Sequence, residues 1–269
     1  GRIRSRKIEN VKKEVEDLAQ KGIKEIVITG IHVASYGKDL EENIGLIDLL
    51  EEINKIDGIE RIRLSSLEPT LITEEFVKRL SKLAKICDHF HLSLQSGCNE
   101  TLKRMNRHYT TEDFKKATEL LRKTYPNVAL TTDIIVGFPG ETEEEFNITY
   151  DFLKEINFYK MHVFKYSPRH GTKAEKMPNQ IDGNIKEERS KKLIELSDKN
   201  EINQNKRYIN KNLDVLIEEF EEGYYKGHTT NYIMVKIQEN TNNLQNKIVT
   251  VKIIDNEGID LIGKIQKVY

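Results

Sequence analysis

Residues 129–146 carry the combination of signals that most restricts how this chain can fold. Residues 129–136 are apolar and β-branched, which predicts a buried strand. Gly-Phe-Pro-Gly at 137–140 predicts a sharp turn, and Thr142 with Glu145 has the spacing of a helix capping box. A strand, a glycine turn and a helix in this order are typical of parallel α/β folds, whose ligands bind at the carboxyl ends of the strands. Taken alone, however, this stretch favours an ordinary tight turn between strand and helix, because Gly-Phe-Pro-Gly is not a phosphate-loop pattern.

The same alternation of strand and helix extends over residues 8–167. The predicted strands are 24–30, 61–66, 89–94, 129–136 and 159–167, and the predicted helices are 8–21, 43–56, 73–85, 111–123 and 142–155. Alternation with short loops predicts parallel strands joined by right-handed crossovers. Five units are too few for a complete eight-fold barrel, so the pattern favours an α/β fold with an open or partial barrel.

Polar residues lie at or just after the carboxyl end of every predicted strand. These residues are Thr29, Gly30 and His32, then Ser65, Ser66 and Glu68, then Ser93, Gln95, Ser96 and Gly97, then Asp133 within its strand and Gly137 after it, and finally Tyr166, Ser167 and Arg169. If the strands are parallel, all five sets face one mouth. Polar groups that converge at the carboxyl edge of a parallel sheet predict the functional site.

Several of these residues have a plainer interpretation. His32 lacks a spaced partner and is more simply a loop residue, and His89 and His91 share one strand face without a third metal ligand nearby. Asp133 is costly in an apolar strand unless it has a partner. The basic residues that follow Gly97 suit either a solvated surface or a phosphate backbone; they are Lys103, Arg104, Arg107 and His108.

The character of the chain changes near residue 206. A charged helix at 185–205 is predicted to bridge two domains, 1–205 and 206–269. The second domain is β-rich, with predicted strands at 213–220, 233–237, 247–254 and 261–268, which indicates a small all-β barrel.

The net charge of −1 excludes a protein that binds nucleic acid through an overall basic field, so RNA binding requires a local surface. We predict one from Lys226, His228 and Lys236 with Tyr224 and Tyr225, although such tyrosines can instead pack the barrel. No run is long enough to span a membrane and no signal peptide is visible. Cys87 and Cys98 lack metal-motif spacing, which favours a reducing, cytoplasmic setting.

Taken in order, seven motifs resemble the radical S-adenosylmethionine methylthiotransferases. They are Arg-Ser-Arg at 4–6, Thr-Gly-Ile-His-Val-Ala-Ser-Tyr-Gly at 29–37, Arg-Leu-Ser-Ser-Leu-Glu-Pro at 63–69, His-Leu-Ser-Leu-Gln-Ser-Gly at 91–97, Leu-Lys-Arg-Met-Asn-Arg at 102–107, Asp-Ile-Ile-Val-Gly-Phe-Pro-Gly-Glu-Thr at 133–142 and Tyr-Ser-Pro-Arg-His-Gly-Thr at 166–172. The β-rich domain is similar to the RNA-binding TRAM domain, an OB-like barrel. The motif forms are most similar to the branch that acts on threonylcarbamoyladenosine at tRNA position 37.

This resemblance implies a radical-SAM-type partial barrel that uses S-adenosylmethionine and two [4Fe-4S] clusters. One cluster cleaves S-adenosylmethionine to a deoxyadenosyl radical that attacks C2 of the adenine, and the other holds the sulfur that becomes methylated. The implied partners are the tRNA anticodon stem-loop and an electron donor, in the cytoplasm, without a membrane. The sibling branches that modify isopentenyladenosine in tRNA or a ribosomal protein remain alternatives, as does a non-catalytic RNA-binding fragment.

Motif position implies roles for individual residues. The residues expected to surround the cofactor and the substrate base are Thr29, Gly30, His32, Ser65, Glu68, Ser93, Gln95, Asp133, Gly137 and Phe138. The residues expected to contact RNA are Arg104, Arg107, Tyr166, Arg169, Lys226 and Lys236. No single catalytic residue is assigned. The Cys-x3-Cys-x2-Cys motif of the family lies upstream of the segment at which this sequence begins, so we expect no protein thiolate ligands for either cluster and no activity from the chain alone.

Overall fold

The computed structural model describes residues 3–30, 33–41, 44–239 and 243–269. The first part of the chain forms one parallel sheet of five strands. They are β1 (Glu25–Ile28), β2 (Arg61–Leu67), β3 (Ile86–Gln95), β4 (Ala129–Val136) and β5 (Lys160–Lys165). Their spatial order is the same as their order in the sequence, and every neighbouring pair is parallel. The prediction of parallel strands is therefore confirmed.

Helices connect the strands and cover one face of this sheet. They are α1 (Ile8–Gln20), α2 (Leu46–Ile53), α3 (Glu74–Leu80), α4 (Asn99–Arg104), α5 (Thr111–Thr124) and α6 (Glu143–Ile156), and α7 (Gly183–Asn205) leads to the second domain. The capping boxes at Thr110 and Thr142 form as predicted. The short helix α4 was not predicted, because its six residues are too few to show helical periodicity.

Side chains alternate between the two faces of the sheet. Even-numbered residues such as Ile62, Phe90 and Leu130 are buried in the hydrophobic core with the helices. The odd-numbered residues of the same strands include arginine, histidine, threonine and aspartate, and they lie on the opposite face, which we call the inner face. The inner face is where the polar residues of this domain meet.

The second domain is a closed barrel of five strands. They are β6 (Asn212–Glu221), β7 (Tyr224–Thr229), β8 (Met234–Ile237), β9 (Ile248–Glu257) and β10 (Asp260–Val268), in the order β10-β8-β7-β6-β9. The predicted barrel is confirmed, but β7 was missed because Gly227 was assigned to a turn. A Cβ at Gly227 would lie 2.0 Å from the Leu216 carbonyl oxygen, so this glycine permits close approach of β6 and β7.

Two buried arginines of β2 attach the barrel to the inner face. Arg61 donates hydrogen bonds to the carbonyl oxygens of His228 and Asp214, at 2.8 and 2.9 Å. Arg63 is 3% exposed and donates to the carbonyl oxygen of Thr230 at 2.8 Å. The side chain of Arg63 also forms a two-fold ion pair with Glu25 and lies over the ring of Tyr232. These bonds give the two buried guanidinium groups acceptors on the barrel.

Tyr232 is a barrel residue whose side chain packs on the inner face of the sheet. Its ring stacks on His228, with centroids 4.2 Å apart, and lies 5.0 Å from the ring of His89. His89 is buried, and its Nε2 lies 3.1 Å from Thr131 Oγ1. Burial, and then the positive charge of Arg63, hold the pKa of His89 well below its usual value of 6.5.

Among the described residues, every helix is too short or too polar to span a bilayer.

Replacing Arg63 by alanine is expected to lower the free energy of unfolding by about 3–5 kcal/mol, because the buried Glu25 carboxylate would lose its two hydrogen bonds and keep only the longer 3.7 Å contact with Arg61. Denaturant unfolding of the purified chain measures this change. Lys115→Ala removes a solvent-exposed ion pair with Glu155 and is the control, with a nearly unchanged midpoint expected. An equal response of both variants would contradict the structural role given to Arg63.

The stability of the chain is expected to fall as the pH is lowered below about 6.5. The unfolded chain protonates His89 at that pH, whereas the folded protein resists protonation, so acid favours unfolding. Thermal midpoints measured between about pH 7.5 and about pH 5.5 should decline less steeply in His89→Gln than in the parent chain. His170→Gln, at an exposed position, should decline like the parent.

Candidate functional site at the carboxyl edge of the sheet

Three neighbouring strands end with a residue in the left-handed backbone region. The φ angles are +59° at Ser66 of β2, +71° at Gln95 of β3 and +71° at Gly137 after β4. The strand register also shifts near Ser66 and Gln95. The pairing of β2 with β3 shifts between Leu64 and Leu67, and that of β3 with β4 shifts between Leu92 and Gln95. Non-glycine residues rarely adopt this conformation, and strained backbones and bulges concentrate beside functional sites. The carboxyl edge of the sheet is therefore the strongest candidate site.

The predicted residues of the first two strands lie at this edge. Thr29 and Gly30 follow β1 and are exposed. Ser65 lies within β2, and Glu68 precedes a short 3-10 helix at Pro69–Leu71. His32 lies outside the described residues.

A tyrosine that was not predicted anchors the end of β3. Tyr109 donates its hydroxyl to the carbonyl oxygens of Ser93 and Leu94, at 2.6 and 3.1 Å. Burial raises the pKa of Tyr109 to about 12, so it remains a proton donor under ordinary conditions. Arg107 lies close enough to act on Tyr109 electrostatically, and its buried Nε has no hydrogen-bond partner among the described residues. The predicted positions Ser93 and Gln95 thus lie at the end of β3, which Tyr109 anchors close to the cation of Arg107.

Asp133 has the partner that its position in an apolar strand requires. Its Oδ2 lies 3.3 Å from Nε2 of His91 on β3, and His162 is opposite Asp133 on β5. The Nδ1 of His91 lies 3.0 Å from Thr131 Oγ1. Burial opposes ionisation of Asp133, but the hydrogen bond from His91 and the charges of the two histidines outweigh it and lower the pKa of Asp133. Burial lowers the pKa of His162.

These groups form a connected polar row across three strands on the inner face. The row offers a carboxylate acceptor and two imidazoles, which can each donate or accept a hydrogen bond. His91, which the sequence analysis interpreted as structural, contacts Asp133 through its ring, and the structural role stays a prediction.

Two buried charged side chains, Glu141 and Arg189, stabilise the turn at Gly137. Glu141 accepts a hydrogen bond from the Gly137 amide at 2.7 Å and pairs with Arg189 of α7 at 2.7 Å. Lys186 of α7 lies over the turn, and a Cβ at Gly137 would come within 2.3 Å of its Cγ. The positive φ of +71° and the contact with Lys186 both favour glycine at this position.

Phe138 and Tyr166 form the aromatic part of the mouth. Their rings contact edge to face, with centroids 5.3 Å apart, and the backbone amide of Tyr166 donates to the Val136 carbonyl at 2.9 Å. The Tyr166 hydroxyl is buried without a hydrogen-bond partner among the described residues, which is costly in the absence of a ligand. Arg169, in the following loop, is exposed.

The remaining residues predicted to contact RNA lie apart from the mouth or are already paired. Arg104 uses both terminal nitrogens in an ion pair with Glu145, which joins α4 to the start of α6. Lys226 and Lys236 lie opposite each other on the small barrel. Tyr225 points into the barrel core and so lies on the other side of β7 from Lys226, because side chains of a strand alternate.

Several residues of the site escaped sequence reasoning. His162 could have been found, because period-two alternation on β5 places it beside Asp133. Lys186 and Arg189 had no such signal, since they lie on a charged helix that was interpreted as a bridge between domains. Their role depends on how α7 returns over the Gly137 turn.

Comparison with known proteins shows which family this chain resembles. The Radical SAM superfamily model matches residues 1–153. The threonylcarbamoyladenosine tRNA methylthiotransferase of Bacillus subtilis is 44% identical over 260 residues, which are 94% of this chain and 57% of that protein. The tRNA-2-methylthio-N(6)-dimethylallyladenosine synthase of Alkaliphilus oremlandii is 41% identical over 268 residues, 98% of this chain and 57% of that protein. The chain thus spans a little over half the length of these relatives.

Solved structures share the fold at low sequence identity. Coproporphyrinogen III oxidase of Escherichia coli, described as a Radical SAM enzyme, has a TM-score of 0.53 at 17% identity, over 74% of this chain and 48% of that one. Methylornithine synthase has a TM-score of 0.50 at 14% identity, over 71% and 53% of the two chains. With the family model matching more than half of its residues, the chain belongs to the Radical SAM superfamily.

Proposed function

We propose that this chain is the part of a tRNA methylthiotransferase that binds S-adenosylmethionine and tRNA. The observation that carries this proposal is the set of three left-handed strand ends, Ser66, Gln95 and Gly137, beside the polar row of His91 and Asp133. Membership of the Radical SAM superfamily and relatives named as tRNA methylthiotransferases support it. The specific substrate proposed is threonylcarbamoyladenosine at tRNA position 37.

The described residues do not fit an iron–sulfur cluster. They contain no group of three histidine, cysteine, aspartate or glutamate side chains that could hold a metal ion. Cys87 and Cys98 are free and buried, and burial raises the pKa of the Cys87 thiol to about 12, which disfavours the thiolate that a cluster needs. No step through a cluster is assigned to these residues.

The same residues do fit S-adenosylmethionine. Backbone groups at Ser66 and Gln95 are turned out of the regular ladder and can reach the polar edges of a nucleoside and an amino acid, and Gly137, whose amide is held by Glu141, can offer its carbonyl oxygen. The buried Tyr166 hydroxyl, which has no partner among the described residues, can donate a hydrogen bond there. When bound, S-adenosylmethionine supplies the deoxyadenosyl and methyl groups of the reaction.

We assign complementary tasks to the residues around this cofactor. Asp133, held by His91, accepts a hydrogen bond from an amino group and fixes the orientation of the ligand. Phe138 and Tyr166 exclude water from one side of the mouth. Thr29, Gly30, Ser65, Glu68 and Ser93 complete the cofactor side, and Arg107 and Arg169 receive the RNA backbone at the rim.

The sibling reaction on dimethylallyladenosine is the second candidate, because relatives with that name are similar to this chain to nearly the same extent. Nucleoside analysis separates the two candidates. Deletion of the gene should abolish the methylthio derivative of threonylcarbamoyladenosine in cellular tRNA, and complementation should restore it. Loss of the dimethylallyladenosine derivative instead would reassign the substrate, and unchanged tRNA would overturn the proposed function.

Gly137→Ala is expected to weaken S-adenosylmethionine binding at least about ten-fold, because the new Cβ meets Lys186 and displaces the turn. Calorimetric titration of the chain with S-adenosylmethionine measures this effect. Gly223→Ala is the matched control, since Gly223 has a similar positive φ but nothing within 4 Å of its added Cβ. Equal affinities for the parent and Gly137→Ala would remove this turn from the cofactor site.

A further inference from the structure

Two pairs of lysines face each other across neighbouring antiparallel strands of the small barrel. Lys226 on β7 is opposite Lys236 on β8, and Lys252 on β9 is opposite Lys264 on β10. Side chains directly opposite each other have Cβ atoms about 5 Å apart, and like charges in such positions destabilise a sheet. The two pairs differ in what offsets this repulsion.

The pair formed by Lys226 and Lys236 is neutralised within the barrel. Lys226 contacts the carboxylate of Glu221, and Lys236 Nζ lies 2.8 Å from Asp260 Oδ2. The two lysine side chains are 16% and 28% exposed, so the carboxylates and the barrel wall cover most of each. Two cations and two anions leave little net charge on this surface for a ligand.

The pair formed by Lys252 and Lys264 has no such offset. Both lysines are exposed, and within the described residues neither forms an ion pair or a hydrogen bond through its side chain. On the other side of Lys252, β6 contributes the uncharged Asn212. The repulsion between these two ammonium groups therefore remains in the isolated chain.

The next row of the same strands adds charge and an aromatic ring. Lys267 is opposite Thr250, and its Nζ lies 4.3 Å from the centroid of Tyr269, which is 64% exposed. Asp214, the acidic residue of this row, accepts a hydrogen bond from Thr250 at 2.6 Å. Three lysines thus share these two rows with a single carboxylate.

We propose that Lys252, Lys264, Lys267 and Tyr269, together the β9–β10 surface, bind the phosphate backbone of the RNA on which the protein acts. This inference rests on the proposed function. A polyanion would remove the repulsion between Lys252 and Lys264, and the exposed Tyr269 ring can stack on an unpaired base. An acidic protein segment would satisfy the lysines but would leave the ring without a stacking partner.

Matched double variants of the chain test this assignment with transcribed tRNA over a series of salt concentrations. Lys252→Gln with Lys264→Gln should weaken binding at least about ten-fold, and the slope of log affinity against log salt should decrease by about 1.4–1.8, since two phosphate contacts are lost. Lys226→Gln with Lys236→Gln removes the same formal charge from the same barrel. Its affinity should change less than about two-fold.

The single variant Lys264→Glu separates binding from folding. Its new carboxylate would face Lys252 and replace a repulsion by an attraction, so the thermal midpoint should be unchanged or higher. Its affinity for tRNA should nevertheless fall. A loss of affinity that is accompanied by a lower midpoint would mean that the barrel itself was damaged, and would count against the proposal.

Three results of the tRNA titrations with the double variants would overturn the assignment of the β9–β10 surface. They are equal weakening by the two double variants, a larger effect of the variant at Lys226 and Lys236, and unchanged tRNA affinity in both. Binding of polyglutamate without binding of tRNA would also contradict it and would indicate an acidic protein partner. The proposed function is judged separately, by the nucleosides of the deletion strain, so this surface can fail while that function stands.

Discussion

The single direction of the five strands in the large sheet is the constraint on which the site depends. Because every neighbouring pair is parallel, each strand delivers its carboxyl end to one edge, and loops that are distant in sequence become neighbours. An antiparallel strand among them would remove its loop from the mouth. Left-handed residues at the ends of β2, β3 and β4 then turn backbone groups away from the ladder. The strain is tolerated because Tyr109 and Glu141 hold the neighbouring chain in place.

At the amino-terminal end of the sheet, the small barrel covers polar side chains of the inner face. The amino-terminal half of the inner face would expose buried arginines and a histidine if nothing covered it. The small barrel covers it with Tyr232 and with carbonyl groups that accept hydrogen bonds from Arg61 and Arg63. The barrel supplies acceptors to the arginines that it covers, so these charged side chains depend on the barrel for both burial and hydrogen bonds. The bonds of Arg61 and Arg63 therefore attach the barrel, with the RNA-binding surface proposed for it, to the sheet that carries the mouth.

The sequence predicted those features that local chemistry determines. The strand at 129–136 and the capping boxes at Thr110 and Thr142 follow from propensity and spacing alone, and the structure has them at these positions. The strand at 224–229 was missed because Gly227 has a tertiary purpose, the close approach of β6, that no local pattern reveals. The ion pair of Arg104 with Glu145 joins residues on different helices and likewise depends on the fold.

Charge on the small barrel shows why composition is a poor guide to binding. Its basic and acidic residues are roughly equal in number, but they are not evenly distributed over its surface. The sequence analysis predicted RNA contacts for Lys226 and Lys236 because tyrosines are near them in the sequence. Their carboxylate partners, Glu221 and Asp260, come close to these lysines only when the strands pair. The same pairing brings Lys252 and Lys264 together without an acid between them. Strand register, which the sequence does not specify directly, therefore decides which lysines keep a charge that a phosphate can use.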